Sequence, residues 1–227
     1  MNKRLHTIAN MVKDGKGLID VGTDHGYLPA YLAVNGYSGF LFASDIHAGP
    51  LNAARKTASD CSVENRINYL LCDGLDGCPP DQIDTIVIAG MGGDLICRIL
   101  DKADWCLDHR YTLILQPMTK AEVLRYWLVN NGFSLEEERL VRDGGILYQI
   151  IRTRFSQNMT LSDAELYAGS FENIRNEMLC AEWLELLLHR FEKEEKGLLA
   201  AERQEKARLS VCKSVLDGLR EMKGKLT

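Results

Sequence analysis

From residue 18 to residue 154 the chain alternates short β-rich runs with amphipathic stretches, and this alternation limits the fold more than any other feature. The candidate strands are 18–21, 40–44, 67–72, 85–89, 111–115, 134–141 and 145–152; the candidate helices between them are 28–35, 50–60, 94–100 and 120–131. Strands that take turns with helices must run parallel, because each helix carries the chain back to the starting edge of the sheet. The last two candidates are separated only by Arg142-Asp143-Gly144-Gly145, which spells a turn, so the sheet is expected to close with an antiparallel hairpin. The fold class is therefore α/β, a Rossmann-like, mostly parallel seven-stranded sheet with an antiparallel last strand. Ahead of it, Leu5, Ile8, Ala9 and Val12 share one helical face. They predict a first helix of the fold, and the segment lacks the unbroken apolar core of a signal peptide.

After Phe155 the strand-like runs stop and no proline occurs. Met178, Leu179, Trp183, Leu186 and Leu187, then Leu209, Cys212, Val215, Leu216 and Leu219, recur at spacings of three and four, the signature of two long amphipathic helices. Gly197 and the polar 201–206 stretch offer turn positions, so an antiparallel coiled-coil hairpin is expected. At 227 residues the chain divides into a sheet domain, 1–155, and a helical extension, 156–227. On that division a fragment ending near Arg154 should fold alone. Lys193, Lys196, Arg203 and Lys206 give the extension a means of meeting phosphates, tempered by Glu192, Glu194, Glu195, Glu202 and Glu205.

Composition adds boundaries. The 46% apolar and 26% charged content is that of a soluble globular protein, and no apolar run approaches the roughly 18 residues of a membrane span. The seven cysteines form no CxxC pair and no zinc-like spacing, which predicts neither metal nor disulfide and a cytoplasmic setting. A net charge of -5 neither supports nor excludes a nucleic-acid partner, since phosphate binding needs only a local basic face.

The end of the first strand carries the chemistry. Asp20, Gly22, Asp24 and Gly26 follow a D-x-G-x-D-x-G spacing at a strand-to-helix turn, where glycines let backbone approach a ligand. A dinucleotide loop would need glycine where Asp24 stands, and a carboxylate there repels a pyrophosphate. A cofactor with cationic groups and no phosphate suits the turn, with Asp20 or Asp24 as counter-charge. S-adenosylmethionine has those properties, and a parallel sheet with an antiparallel last strand is the usual build of the methyltransferases that use it. Asp45, 23 positions after Gly22 at the end of the second strand, can accept hydrogen bonds from vicinal ribose hydroxyls. Asp73 after the third strand can meet an adenine amine. After the fourth strand, Gly90, Gly92 and Gly93 leave the sheet mouth open to a flat substrate, and after the fifth, Gln116 offers an amide and Pro117 stiffens a loop.

These residues, in the runs KRLHTIANMV, DVGTDHGYLP, AGMGG and LQP with the C-terminal helical hairpin, resemble the bacterial tRNA (adenine-22 N1)-methyltransferase family through most of the chain. The resemblance implies a class I methyltransferase domain with a coiled-coil extension that transfers a methyl group from S-adenosylmethionine to N1 of an adenine in tRNA. The candidate site is then Asp24, His25 and Tyr27 for catalysis. Asp20, Gly22, Asp24, Gly26, Asp45, Ile46, Asp73, Gly74 and Gly90 are candidates for the cofactor, and Lys3, Arg4, Met91, Gly92, Gly93, Gln116 and Pro117 for the substrate. Met118 stands where other members carry Asn, Asp45 where some carry Glu and Gly26 where some carry Ala. Lys13, Arg55, Lys56, Arg98 and Lys120 are further cations available to a tRNA backbone. The alternatives are a small-molecule methyltransferase and a noncatalytic RNA-binding protein on the same fold. The expected assembly is a monomer or weak dimer.

Overall fold

Strand β1 (Gly17–Val21) is buried along its whole length, as a strand covered on both faces must be. It is the centre of the sheet. In the computed structural model, which describes residues 1–156, 159–201 and 205–226, the other strands are β2 (Phe40–Asp45), β3 (Ile67–Leu71), β4 (Thr85–Gly92), β5 (Thr112–Thr119), β6 (Phe133–Asp143) and β7 (Ile146–Phe155). Their order is β3-β2-β1-β4-β5-β7-β6. The pairs β1–β2, β1–β4, β2–β3 and β4–β5 are parallel, whereas β7 runs antiparallel to both β5 and β6. The expected closing hairpin is present, with β7 inserted inside β6. The chain moves outward from β1 to β3 and then crosses back to β4. The strand order therefore reverses beside β1, and the carboxyl ends of β1 and β4 border the crevice where open α/β sheets hold ligands.

Alternate side chains send the sheet into two cores. Val87 and Ile114 pack with Ile8 of α1 (Lys3–Met11), Leu28 of α2 (Tyr27–Val34) and Ala58 of α3 (Ala48–Asp60). Ile86, Ile88, Leu113 and Leu115 pack with Ile96 and Leu100 of α4 (Gly93–Asp101) and with Leu124 and Leu128 of α5 (Ala121–Asn130). Helix α1 starts at Asn2, whose side chain accepts the Leu5 backbone N–H at 2.9 Å and satisfies an otherwise orphaned donor.

Strands β4 and β5 run well past their expected ends. Strand β4 continues through the glycines to Gly92, with register shifts on either side of Met91, and β5 continues to Thr119. Pro117 is thus a strand residue opposite Met91 and not part of a loop. The β5–β7 ladder ends at Leu115, so no hydrogen bond there needs the N–H that proline lacks.

The long helices expected after Phe155 are α8 (Cys180–Ala200) and α9 (Lys206–Gly224), which follow two short ones, α6 (Asp163–Ala168) and α7 (Phe171–Ile174). Helices of six and four residues are too short to show periodicity; the capping box of Ser162 and Glu165 was the readable signal for α6. Of the expected 201–206 turn, residues 202–204 lie outside the described residues, and Glu202 and Arg203 with them. These helices share a core with the outermost strand: Leu140 of β6 is buried with Ala164, Ile174, Leu184, Phe191, Val215 and Leu219. Among the described residues no helix is long and apolar enough to cross a membrane, and no group of three His, Cys, Asp or Glu side chains is disposed to hold a metal ion. The seven cysteine thiols are free.

Candidate cofactor and substrate site

The turn that ends β1 is pinned from two sides. The Gly22 and Thr23 N–H groups both donate to Ser44 O, at 2.8 and 3.0 Å, which ties the turn to β2. Gly26 lies so close to α3 that a Cβ there would stand 2.7 Å from Ala54 Cβ. Gly22 (φ 71°), Asp24 (φ 53°) and Gly26 (φ 66°) are all left-handed. For Asp24 this is a strained setting, and such strain persists where the surroundings impose it. Its effect is to push Asp24, His25 and Tyr27 outward together. The His25 ring stacks on Tyr27 (centroids 5.3 Å apart, planes at 19°), and His25 Nε2 is 3.8 Å from Asp24 Oδ1. All three catalytic candidates therefore stand at one rim.

Beneath that rim Asp20 is buried and accepts the Thr23 hydroxyl at 2.6 Å. Burial pushes its carboxyl up to about 6, and the Thr23 hydrogen bond and the nearby Arg4 only partly oppose the rise. Arg4 enters from the first turn of α1. It donates to Gln116 Oε1, and its guanidinium lies 5.7 Å from the centre of the Tyr148 ring. Lys3, beside it, is exposed.

Two cavities meet at the carboxyl edge of the sheet. The first, about 380 Å³, holds Arg4, Asp20 and Thr23 and opens at Asp24, His25 and Tyr27. The second, about 200 Å³, is largely apolar, lined by Ile46, Leu95 and Ile99 with Asp73 and Gly74 at its end. Gly22, Asp45 and Met91 line both and form a waist between them. A Cβ on Gly22 would overlap the Met91 methyl group, so glycine keeps the waist open. Asp45 Oδ1 accepts the His47 N–H at 2.8 Å, which fixes its carboxylate at the waist. Asp73 is exposed and paired with Lys102 at 2.8 Å. The exposed apolar side chains Ile46 and Leu95 thus line the second cavity. The sequence reading named Ile46 but missed Leu95, Ile99 and Thr23; Leu95 and Ile99 carry only the ordinary apolar spacing of α4.

The substrate edge departs from expectation. Gln116 is fully buried and its amide is spent: Oε1 accepts from Arg4 Nη1 and, at 3.2 Å, from the Gly90 N–H, while Nε2 donates to Pro117 O at 2.9 Å. Gln116 and Pro117 shape the edge from within, and neither presents a free group to a base. The three glycines also differ. A Cβ on Gly93 would overlap the Lys120 carbonyl, so this glycine serves a backbone contact. A Cβ on Gly92 would meet only Thr119 Oγ1, at 3.2 Å, and one on Gly90 the Arg4 guanidinium, at 3.3 Å. Among the other cations, Arg55 lies over the Tyr69 ring at 4.2 Å and Lys120 pairs with Asp94.

A seven-stranded sheet with one antiparallel strand, and a crevice that offers carboxylates where a dinucleotide would need glycines, defines a class I S-adenosylmethionine-dependent methyltransferase. Residues 1–151 match the methyltransferase-domain family. The tRNA (adenine(22)-N(1))-methyltransferase of Bacillus subtilis (strain 168) is 30% identical over 195 residues, covering 83% of this chain and 82% of that one. The crystal structure of the B. subtilis m1A22 tRNA methyltransferase TrmK superposes with a TM-score of 0.86 at 26% identity, over 98% of each chain. The Streptococcus pneumoniae protein Sp1610 in complex with S-adenosyl-L-methionine gives 0.79 at 31% identity, over 98% of this chain and 99% of that one. The chain belongs to the tRNA (adenine(22)-N(1))-methyltransferase family.

Proposed function

We propose that this protein transfers a methyl group from S-adenosylmethionine to N1 of adenine 22 in tRNA. The observation that carries the reading is the pair of cavities joined at Gly22, Asp45 and Met91, one lined by charged side chains and one largely apolar, opening beside the stacked His25 and Tyr27. The residues present fit the cofactor. Asp20, a buried carboxylate with only Thr23 and Arg4 to offset its burial, is the group for the ammonium, and Arg4 the group for the carboxylate. Asp45 suits the ribose hydroxyls, and the slot of Ile46, Leu95 and Ile99 suits the adenine ring, with Asp73 and Gly74 at its amine. Bound S-adenosylmethionine supplies an electrophilic methyl group.

Adenine N1 carries an in-plane lone pair, so the protein needs no strong base. Its work is to position the ring and to meet the positive charge that the base acquires, and alignment alone is worth roughly 7–11 kcal/mol. Tyr27, about half exposed, offers a ring face to that cation, and the carboxylate of Asp24 stands at the same rim. N1 is engaged inside folded tRNA, so the adenosine must be turned out before it can reach this rim. The protein works as a monomer or weak dimer in the cytoplasm, with domain 1–155 carrying the chemistry and 156–227 assisting tRNA engagement.

A noncatalytic RNA-binding protein would have no use for an intact pair of cofactor cavities, and a small-molecule methyltransferase would not act on a tRNA transcript. The test is methyl transfer to an unmodified tRNA transcript and to one with guanosine at position 22. Methylation of the first only is expected; equal methylation of both, or none, overturns the reading.

A further inference from the structure

A third cavity lies at the same sheet edge, outside the cofactor site. It is about 250 Å³, floored by Pro117–Thr119 of β5 and walled by Tyr148 of β7, Tyr167 of α6, and Trp183 and Arg190 of α8. It therefore forms only where the C-terminal helices meet the sheet. Resting on the tRNA reading above, we propose that this groove holds an unstacked base of the tRNA next to the target adenosine.

Three observations favour that occupant. The first is what the groove presents. The Tyr167 hydroxyl is engaged by Arg208 at 3.2 Å, Trp183 Nε1 donates to Ala168 O at 2.9 Å, and the Gln149 amide is held by Arg125 and the Tyr167 carbonyl. With those polar ends occupied, Tyr167 and Trp183 offer the groove their ring faces. Such a lining stacks any base without reading its edge. Met118 and Ile146, 45% and 57% exposed, extend the apolar surface to the mouth.

The second is charge. Arg190 is exposed at the wall and lies 5.9 Å from the centre of the Tyr167 ring, whereas the other lining cation, Lys120, is paired with Asp94. An aromatic wall beside a guanidinium suits a base and its phosphate. The third is continuity. Arg4 lines the cofactor cavity and lies over Tyr148, which lines the groove, so the Arg4–Tyr148 contact is a partition between the two. Turning the target adenosine toward Tyr27 strips its neighbour of a stacking partner. The groove offers a replacement surface one partition away.

The experiment is a coupling cycle. Transcripts carrying an abasic nucleotide at each position flanking the target adenosine are assayed with wild type, with Tyr148→Leu, which keeps bulk beside Arg4 but removes the stacking face, and with Arg190→Ala. In wild type, loss of the base at one flanking position should raise KM for tRNA roughly tenfold. Tyr148→Leu should raise KM for intact tRNA by a similar factor with cofactor Kd unmoved, and the two changes together should do little more than either alone. Arg190→Ala should raise KM for intact tRNA as well. Full additivity at every flanking position, or indifference to all abasic substitutions, overturns the proposal. So does a Tyr148→Leu enzyme that loses cofactor and tRNA affinity together, because Tyr148 would then serve Arg4 alone. Failure of wild type to methylate intact tRNA would instead overturn the functional reading.

Discussion

Arg125 Nη2 lies 2.7 Å from Glu138 Oε1, and neither side chain is more than 2% exposed. The pair does more than join α5 to β6. Arg125 Nη1 donates to Leu166 O at 2.9 Å, and Glu138 Oε2 accepts the Ser170 N–H at 2.6 Å, so one buried charge pair holds the segment that carries α6 and α7. Removing one partner leaves a buried charge uncompensated. Glu138→Gln and Arg125→Met should each lower unfolding free energy by about 3–5 kcal/mol, measured by urea denaturation. A change below about 1 kcal/mol would mean that water reaches the site and screens the charge left behind.

The same contact bears on truncation. A fragment ending at Arg154 keeps every strand except for Phe155 at the end of β7, and the sequence alone predicts that it folds. In the structure the cut leaves the Arg125–Glu138 pair but removes the Leu166 carbonyl and the Ser170 N–H that it engages, and it bares Leu140, which packs with Ala164, Leu184 and Leu219. The fragment should melt well below the full chain or fail to give a cooperative transition by circular dichroism. A cooperative melt within a few degrees of the full chain would show that the sheet is independent of its helical extension.

The glycine run separates into distinct jobs. Gly93→Ala places a methyl group on the Lys120 backbone carbonyl, so it should destabilise the protein and reduce soluble yield. Gly92→Ala meets only the Thr119 hydroxyl and should fold normally. If Gly92 borders the substrate, its replacement lowers turnover with cofactor Kd unchanged. Thermal melts of both variants, with a cofactor titration of Gly92→Ala, decide the matter; equal melting temperatures would contradict the assignment of Gly93.

How far the sequence could be read follows from the range of the interactions. Strand β1, the D-x-G-x-D-x-G turn and Asp45 were legible because periodicity and turn chemistry are local, and the parallel direction of the first five strands was legible because crossover helices force it; the order of the strands was not. The extension of β5 through Pro117 was not, since it depends on Met91 of a neighbouring strand. Gln116 looked like a free amide because nothing nearby in sequence shows that Arg4, 112 positions away, consumes it. The Arg125–Glu138 pair was invisible for the same reason: two charged residues on surface-like elements are buried only because distant helices cover them.

Asp45 provides a test of cofactor placement. It lines both cavities at their waist, with one oxygen already taken by the His47 N–H. Asp45→Ala should weaken cofactor binding by about 1–3 kcal/mol, the range for hydrogen bonds to a charged group. Isothermal titration measures it. Unchanged affinity would move the ribose away from β2.

Asp20 sets function against stability. Its carboxyl rises from 3.8 to about 6 because it is buried. A raised carboxyl pKa means that the folded state favours the proton, so the stability tied to Asp20 is fully present below 3.8 and is lost as pH rises through about 6. At neutral pH the protein therefore holds an ionised carboxylate at the expense of its own stability, and a bound ammonium would return part of that energy. Asp20→Asn, which can still accept the Thr23 hydroxyl, should raise the melting temperature of the free protein near pH 7, with the gain shrinking toward pH 4. The same variant should bind cofactor more weakly. Wild-type affinity should fall as pH drops below about 6, approaching tenfold per unit, while the variant stays flat over that range. Titrations and melts of both proteins across this range test the two halves together. A variant less stable than wild type at neutral pH, or one whose cofactor affinity keeps the wild-type pH profile, would remove Asp20 as the counter-charge.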